Sequence, residues 1–241
     1  MAKEFTIAEL ADRWYDKRDV QNLAGKYVTS LLLKREGTIF DTFWSKRDDV
    51  CLGFDDGYYV GRDAVSGYYA AAAEYTAKKS QFIKQLFPEK LNGFSDEELF
   101  GVGQLKAMPI TTPVIELSED GGTAKGIWHV QGSDNDVTVY GPLSYWTLGF
   151  LCVDFIREDD EWKLWHVLYA EDISCPMGEN WASPKAHEPM EGFETIGEMK
   201  MPAFSVEKKV YERYNSNRDF TAPPRIPEPY ATFAETFSYG V

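Results

Sequence analysis

The sequence predicts an α+β fold: helices first, then a curved antiparallel sheet, then an extended C-terminal arm. Three observations carry this. Apolar residues recur at helical spacing through most of residues 6–79. From Leu105 to Ala170 they fall instead into β-branched and aromatic runs separated by turn chemistry. Beyond residue 174 periodicity fades and most of the prolines are found. The predicted division is an α+β barrel domain over 1–174 and an arm over 175–241 that packs on the domain or on a neighbouring subunit.

Thr6-Ile-Ala-Glu9 is a capping box, and Ile7, Leu10, Ala11 and Trp14 follow as a short lead helix. A second helix is predicted from Asp19 to Lys34, with Val20, Leu23, Tyr27, Leu31 and Lys34 on one face. Tyr27 can project into a cavity or sit in the core with its hydroxyl at the edge; Lys34 reads as a snorkelling end residue with the same alternative open to it. A short helix follows at Gly37–Trp44, then a hairpin over 50–60 turned by Asp55-Asp56-Gly57. Ala64–Lys79 reads as a helix, and 80–103 as a helix-leaning insertion over the pocket mouth, with a second capping box at Ser95-Asp-Glu-Glu98.

The sheet begins near Leu105 and runs as a four-stranded meander. Glu119–Gly122 and Glu158–Glu161 are its tight turns, and Ser133–Pro142 reads as a polar loop. The arm carries Phe193, Phe204, Phe220, Phe233 and Phe237, too much apolar surface to stay in water.

Composition excludes several functions. The 241 residues carry a formal charge of −14, which argues against nucleic-acid binding. No apolar run is long enough to span a bilayer. Met1-Ala-Lys-Glu-Phe-Thr6 lacks an export pattern, so the expected location is cytoplasmic. Three cysteines without a CxxC pair suit a reducing compartment. Dinucleotide, phosphate-loop, nucleophile-elbow and HExxH motifs are absent, and three histidines without ligand spacing make a metal site improbable. An aromatic content of 15% suits a pocket for flat apolar ligands as well as an ordinary core.

His129 and His166, both inside strands, are the first candidates for a general base, because imidazole titrates near neutrality. A satisfied core histidine is the competing reading for each. Alternation groups His129 with Ile127 and Gln131, opposite Trp128 and Val130. It groups His166 with Trp162, Leu164 and Leu168, opposite Trp165, Val167 and Tyr169. Asp154 is expected on the outer face or at a subunit contact, and His187 has no assigned role.

The order helices, Pro113-Val-Ile-Glu116, Gly122-Thr-Ala-Lys-Gly-Ile-Trp128 and Val153-Asp-Phe-Ile-Arg-Glu-Asp-Asp-Glu-Trp-Lys-Leu-Trp-His166 resembles the SnoaL-like branch of the nuclear-transport-factor-two-like superfamily over Asp19–Asp172. The resemblance implies a cone of helices packed in a bent sheet around a deep apolar pocket, no organic cofactor, and a homo-oligomer, trimer or dimer. Members include scytalone and bile-acid dehydratases, ketosteroid isomerase, polyketide cyclases and diarylpropane lyases that release formaldehyde. Gly25-Lys-Tyr27 is similar to the segment bearing the dehydratases' pocket tyrosine, so Tyr27 carries over. Leu32 and Thr111 stand where those enzymes have their aspartate and histidine. Met108-Pro-Ile-Thr-Thr-Pro-Val-Ile-Glu116 and the tail phrases Pro227-Glu-Pro-Tyr230 and Phe237-Ser-Tyr-Gly240 look closest to the diarylpropane lyases.

The expected activity is that of a cofactor-independent lyase on a small hydroxylated aromatic or polycyclic molecule, cleaving C–C with aldehyde release or C–O with loss of water. Tyr27, His129, His166 and Lys34 are the expected catalytic residues; Thr111, Trp128, Tyr145, Trp146 and Tyr169 are expected to bind substrate. The alternatives are a non-catalytic module for an apolar ligand or a protein partner, and an isomerase.

Overall fold

Thr6 and Glu9 form the expected reciprocal cap, with the Glu9 amide donating to Thr6 Oγ1 at 3.3 Å. In the computed structural model, which describes residues 4–138, 141–181, 201–215, 217 and 224–239, that cap opens one continuous helix, α1 (Ile7–Leu32). The lead helix and the second helix are thus a single element, because Tyr15–Asp19 contains neither glycine nor proline to end it. Val20, Leu23, Ala24, Tyr27 and Val28 are its buried face. Its N-terminal half crosses the hairpin ends of the sheet. There the Arg13 guanidinium donates to the carbonyls of Ser118 (2.7 Å) and Leu117 (2.9 Å), and Trp162 Nε1 donates to Asp16 at 3.0 Å.

Then come α2 (Glu36–Phe43), the hairpin β1 (Cys51–Phe54) and β2 (Gly57–Val60), α3 (Arg62–Leu86) and the single turn α4 (Pro88–Leu91). Helix α3 starts on Gly61, without a side-chain cap, and continues past Lys79. The sheet strands are β3 (Leu105–Ala107), β4 (Ile110–Leu117), β5 (Thr123–Thr138), β6 (Gly141–Glu158) and β7 (Glu161–Pro176), with β8 (Val206–Glu207) contributed by the arm. Their order is β3-β5-β6-β7-β1-β2-β8, with β4 also paired to β5. All pairs are antiparallel except β1 with β7, so the fold is α+β with a mixed eight-stranded sheet around the N-terminal helices.

The Ser133–Pro142 segment departs from its expected loop. Ladder pairs run unbroken from Thr123↔Ile156 to Thr138↔Gly141, so most of it is strand. Its polar residues are tolerated because the wide end of the sheet reaches beyond the apolar core, and one of them, Asp134, lies opposite Lys106 of β3. Two bulges in the β6–β7 ladder, at Leu148/Gly149 and Asp154/Phe155, bend the sheet and reset which side chains share a face. A third in β4, between Thr111 and Val114, contains Pro113 and has Thr112 at φ 52°.

The concave face is filled at its narrow end by Trp128, Val130, Leu151, Val153, Phe155 and Leu164 against α1. A second apolar cluster lies on the convex face, where Cys51, Tyr58, Ile127, Cys152, Leu168 and Ala170 are covered by Tyr211, Phe237 and Tyr239. Phe204 packs on Tyr59 (4.9 Å between ring centroids) and Phe233 on Trp165 (4.7 Å). Phe193, Phe220 and His187 lie outside the described residues. Among the described residues no helix is long and apolar enough to cross a membrane.

Candidate functional site

Helix α1 brings Tyr27 into the cone, where its hydroxyl lies 3.1 Å from that of Tyr69 on α3. Burial pushes both phenols well above the ordinary tyrosine value, so both remain protonated donors. Trp44, at the end of α2, sets its ring edge-on to Tyr69. Tyr68 continues the wall with Phe54 and Tyr59, at 5.2 and 5.1 Å between centroids.

Strand alternation supplies the charged part. Asp134, Tyr145 and Lys106 occupy one row of the concave face, and Thr147, Tyr169 and Glu171 lie beside them on β6 and β7. Tyr68, Lys106, Tyr169 and Glu171 remain only half-buried although they face inward. Burial pushes the Glu171 carboxyl up to about 7, with Asp55 and Asp134 acting in the same direction. Arg213, 2.8 Å away, opposes that rise but is shared with Asp55. Burial works to lower Lys106, yet Tyr68, Asp134, Glu171 and Glu36 together carry it above the ordinary lysine value, so it is a permanent cation. Lys79, fully buried on α3 and donating to Tyr75 Oη at 3.1 Å, is brought down to about 8 by burial.

Lys34 reaches the same network through an unusual helix end. The Arg35 amide donates to the Ser30 carbonyl and the Lys34 amide to Leu31, a Schellman arrangement that puts Lys34 at φ 54°. Glycine normally holds that position, and a lysine there costs about 1 kcal/mol of backbone strain. Burial lowers the Lys34 ammonium and raises the neighbouring Glu36 carboxyl, whose Oε2 has no partner among the described residues.

The residues expected from the sequence divide by face. Tyr27, Lys34, Trp128, Tyr145 and Tyr169 belong to the concave side. His129 does not: Ile127, not Trp128, shares its face, and its imidazole is solvent-exposed on the convex side against Phe150. Thr111, its ladder partner, is exposed on that side too, as is Trp146 at 48%. His129→Ala is therefore expected to leave turnover within about twofold and stability within about 0.5 kcal/mol, as measured by steady-state rates and urea unfolding.

His166 also faces outward. The bulge at Trp165 lets Leu164 and Val167 both enter the concave core, which turns His166 to the opposite side from Trp162 and Leu164. Its Nδ1 lies 2.9 Å from Asp154 Oδ2 and its Nε2 3.2 Å from the Asp49 carbonyl. With an oxygen within hydrogen-bond distance of each nitrogen, the ring ties β6, β7 and the approach to β1 together beneath the arm. Both histidines are thus outside the cone.

Lys106, Asp134 and Glu171 were not foreseen. The available signals were a lysine and an acid spaced to pair across β3 and β5, and a glutamate directly after the last apolar pair of β7.

Helices laid in a bent eight-stranded sheet, with polar groups on its concave face, make this an α+β cone. No protein-family model matches the chain, and no curated protein does. Among solved structures the chain is similar to hexachlorocyclohexane dehydrochlorinase LinA-type3 from Novosphingobium barchaimii, at 15% identity over 72% of this chain and 98% of that one, TM-score 0.48. It is also similar to an NTF2-like protein with a cystatin-like fold from Novosphingobium aromaticivorans, at 14% identity over 70% and 92%, TM-score 0.41. A third is the Kfla4162 protein from Kribbella flavida, at 18% identity over 67% and 94%, TM-score 0.48.

Proposed function

We propose that the chain is a lyase that moves protons on a small hydroxylated aromatic or polycyclic substrate with its own side chains. The observation that carries this reading is Glu171, a carboxyl held near neutrality on the concave face within electrostatic reach of the permanent cation Lys106. In its ionised form Glu171 removes a proton from a substrate carbon or hydroxyl. Lys106 and the Tyr27–Tyr69 pair stabilise the oxygen charge that develops. Phe54, Tyr59 and Tyr68 stack on the substrate rings.

In the dehydration form, the C–H electrons become the new double bond, the C–O bond breaks, and the proton on Glu171 leaves with the hydroxyl as water. In the C–C form, the alkoxide made by Glu171 collapses to an aldehyde, and the carbanion left behind takes that proton back. A purely binding role would need no convergent acid–base groups, and Glu171, Lys106 and Tyr69 favour catalysis over it.

The test is a turnover screen of hydroxylated aryl dimers and polycyclic alcohols, read by mass spectrometry for loss of water or of formaldehyde. Lys106→Met is expected to lower kcat by about 10²–10³-fold on any substrate found, the size of one lost oxyanion contact. A folded Lys106→Met protein that turns over normally would remove this assignment.

A further inference from the structure

We propose that Arg213 is a positioning residue: the strap formed by residues 206–214 closes on the β1–β2 hairpin, and through Arg213 it fixes the orientation and charge state of Glu171. This rests on the reading of Glu171 as the base.

The strap is fastened by the backbone. The Lys208 amide donates to the Asp56 carbonyl (3.1 Å), Val210 (2.7 Å) and Tyr211 (3.2 Å) donate to Asp55, and Tyr214 donates to Asp172 (2.8 Å). β8 adds the ladder pairs Gly57↔Glu207 and Tyr58↔Val206. The approach is close enough that a Cβ on Gly57 would come within 2.6 Å of Phe204 Cγ and the Val206 carbonyl oxygen, so the turn needs glycine for space.

So held, Arg213 spans two carboxylates. Its Nε donates to Asp55 Oδ2 at 2.8 Å, and its Nη2 lies 2.8 Å from Glu171 Oε1. Asp55, 5% exposed, uses its other oxygen to accept the Glu171 amide at 2.9 Å. Asp55 therefore fixes the backbone of Glu171 while Arg213 fixes its side chain. The planar guanidinium fork suits this bridge, which a single ammonium cannot reproduce. The other groups acting on Glu171 are Lys106 from β3 and Asp134 from β5, with Tyr169 its neighbour on β7. Without Arg213, two acids and one lysine remain around Glu171, and its ionised form loses its nearest counter-charge.

The experiment is a ¹³C NMR titration of glutamate side-chain carboxyls in the full chain, with Glu171→Gln to assign the signal. In Arg213→Met the Glu171 midpoint is expected to rise by about one pH unit or more, the effect of removing an adjacent opposite charge. Arg213→Lys, which keeps the cation and loses the fork, is expected to rise by less. An unmoved midpoint in folded Arg213→Met overturns the proposal; should that variant not fold, an unmoved midpoint in Arg213→Lys overturns it instead. The two readings fail separately. Full turnover in Glu171→Gln would remove the base while the titration still decided the role of Arg213. Loss of turnover with an unmoved titration would keep the base and remove the strap.

Discussion

Glu171→Gln is expected to lower kcat/KM by about 10²–10⁴-fold, the range attached to loss of a positioned general base. Glutamine keeps the shape and a hydrogen bond to Arg213 but cannot accept a proton. The wild-type rate should rise with pH through about 7, because only the ionised carboxyl acts as base and burial has pushed its pKa to about 7. That limb should be absent from whatever residual activity the glutamine variant retains. Stability carries the same signature with the opposite sign. A carboxyl whose folded pKa is raised binds its proton more tightly in the native state, so its contribution is complete below the unfolded value of 4.5 and is lost as pH climbs to about 7. Urea midpoints across that window should fall in the wild type and be flatter in the variant, by up to about 3 kcal/mol, since one pKa unit is about 1.4 kcal/mol. A pH–rate profile unchanged by the substitution would sink the assignment.

How legible this was in the sequence depended on the length of the pattern being read. The Thr6–Glu9 capping box, the helix faces and the Asp55-Asp56-Gly57 turn are local rules, and the elements they mark formed, whereas the Ser95–Glu98 box closes its hydrogen bonds on a run of turns with no helix behind it. Alternation is also local, and it correctly separated Trp128 and Val130 from His129. Alternation does not say which face the helices cover, however, and that choice sent His129 to solvent. For His166 even the phase was lost, because one bulge residue, Trp165, advances the count by one. Asp134 was hidden for a different reason. A polar strand end reads as a loop unless its partner is known, and its partners Lys106 and Tyr145 come from strands on either side. Arg213 lies 42 residues beyond Glu171, in a segment whose composition announces only an arm. Tyr27 was legible because a single helix face, Val20 to Leu31, determines its direction.

Asp154→Ala is expected to cost about 3 kcal/mol, the penalty for leaving buried donors without their charged acceptor. Asp154 is fully buried and His166 is 1% exposed. Asp154 Oδ2 accepts from His166 at 2.9 Å and from the Ser238 amide at 3.0 Å, so one carboxylate holds both the sheet and the arm. Its removal leaves an imidazole between apolar rings, with Phe237 5.2 Å and Phe233 6.0 Å away, and frees the Ser238 amide. For a chain of this size the loss corresponds to a fall in Tm of about 10 °C. Replacing both partners, Asp154→Leu with His166→Leu, should cost less than the two single changes added together, because neither side chain is then left without the other and only the Ser238 amide and the Asp49 carbonyl lose a partner. Below the transition, kcat in Asp154→Ala should stay near wild type, since the pair lies on the convex face with the sheet between it and Glu171. Differential scanning calorimetry and steady-state rates on the same samples decide the matter. If kcat collapses in a protein that is still folded, His166 belongs to the chemistry after all; if Tm does not move, the pair does not pin the arm.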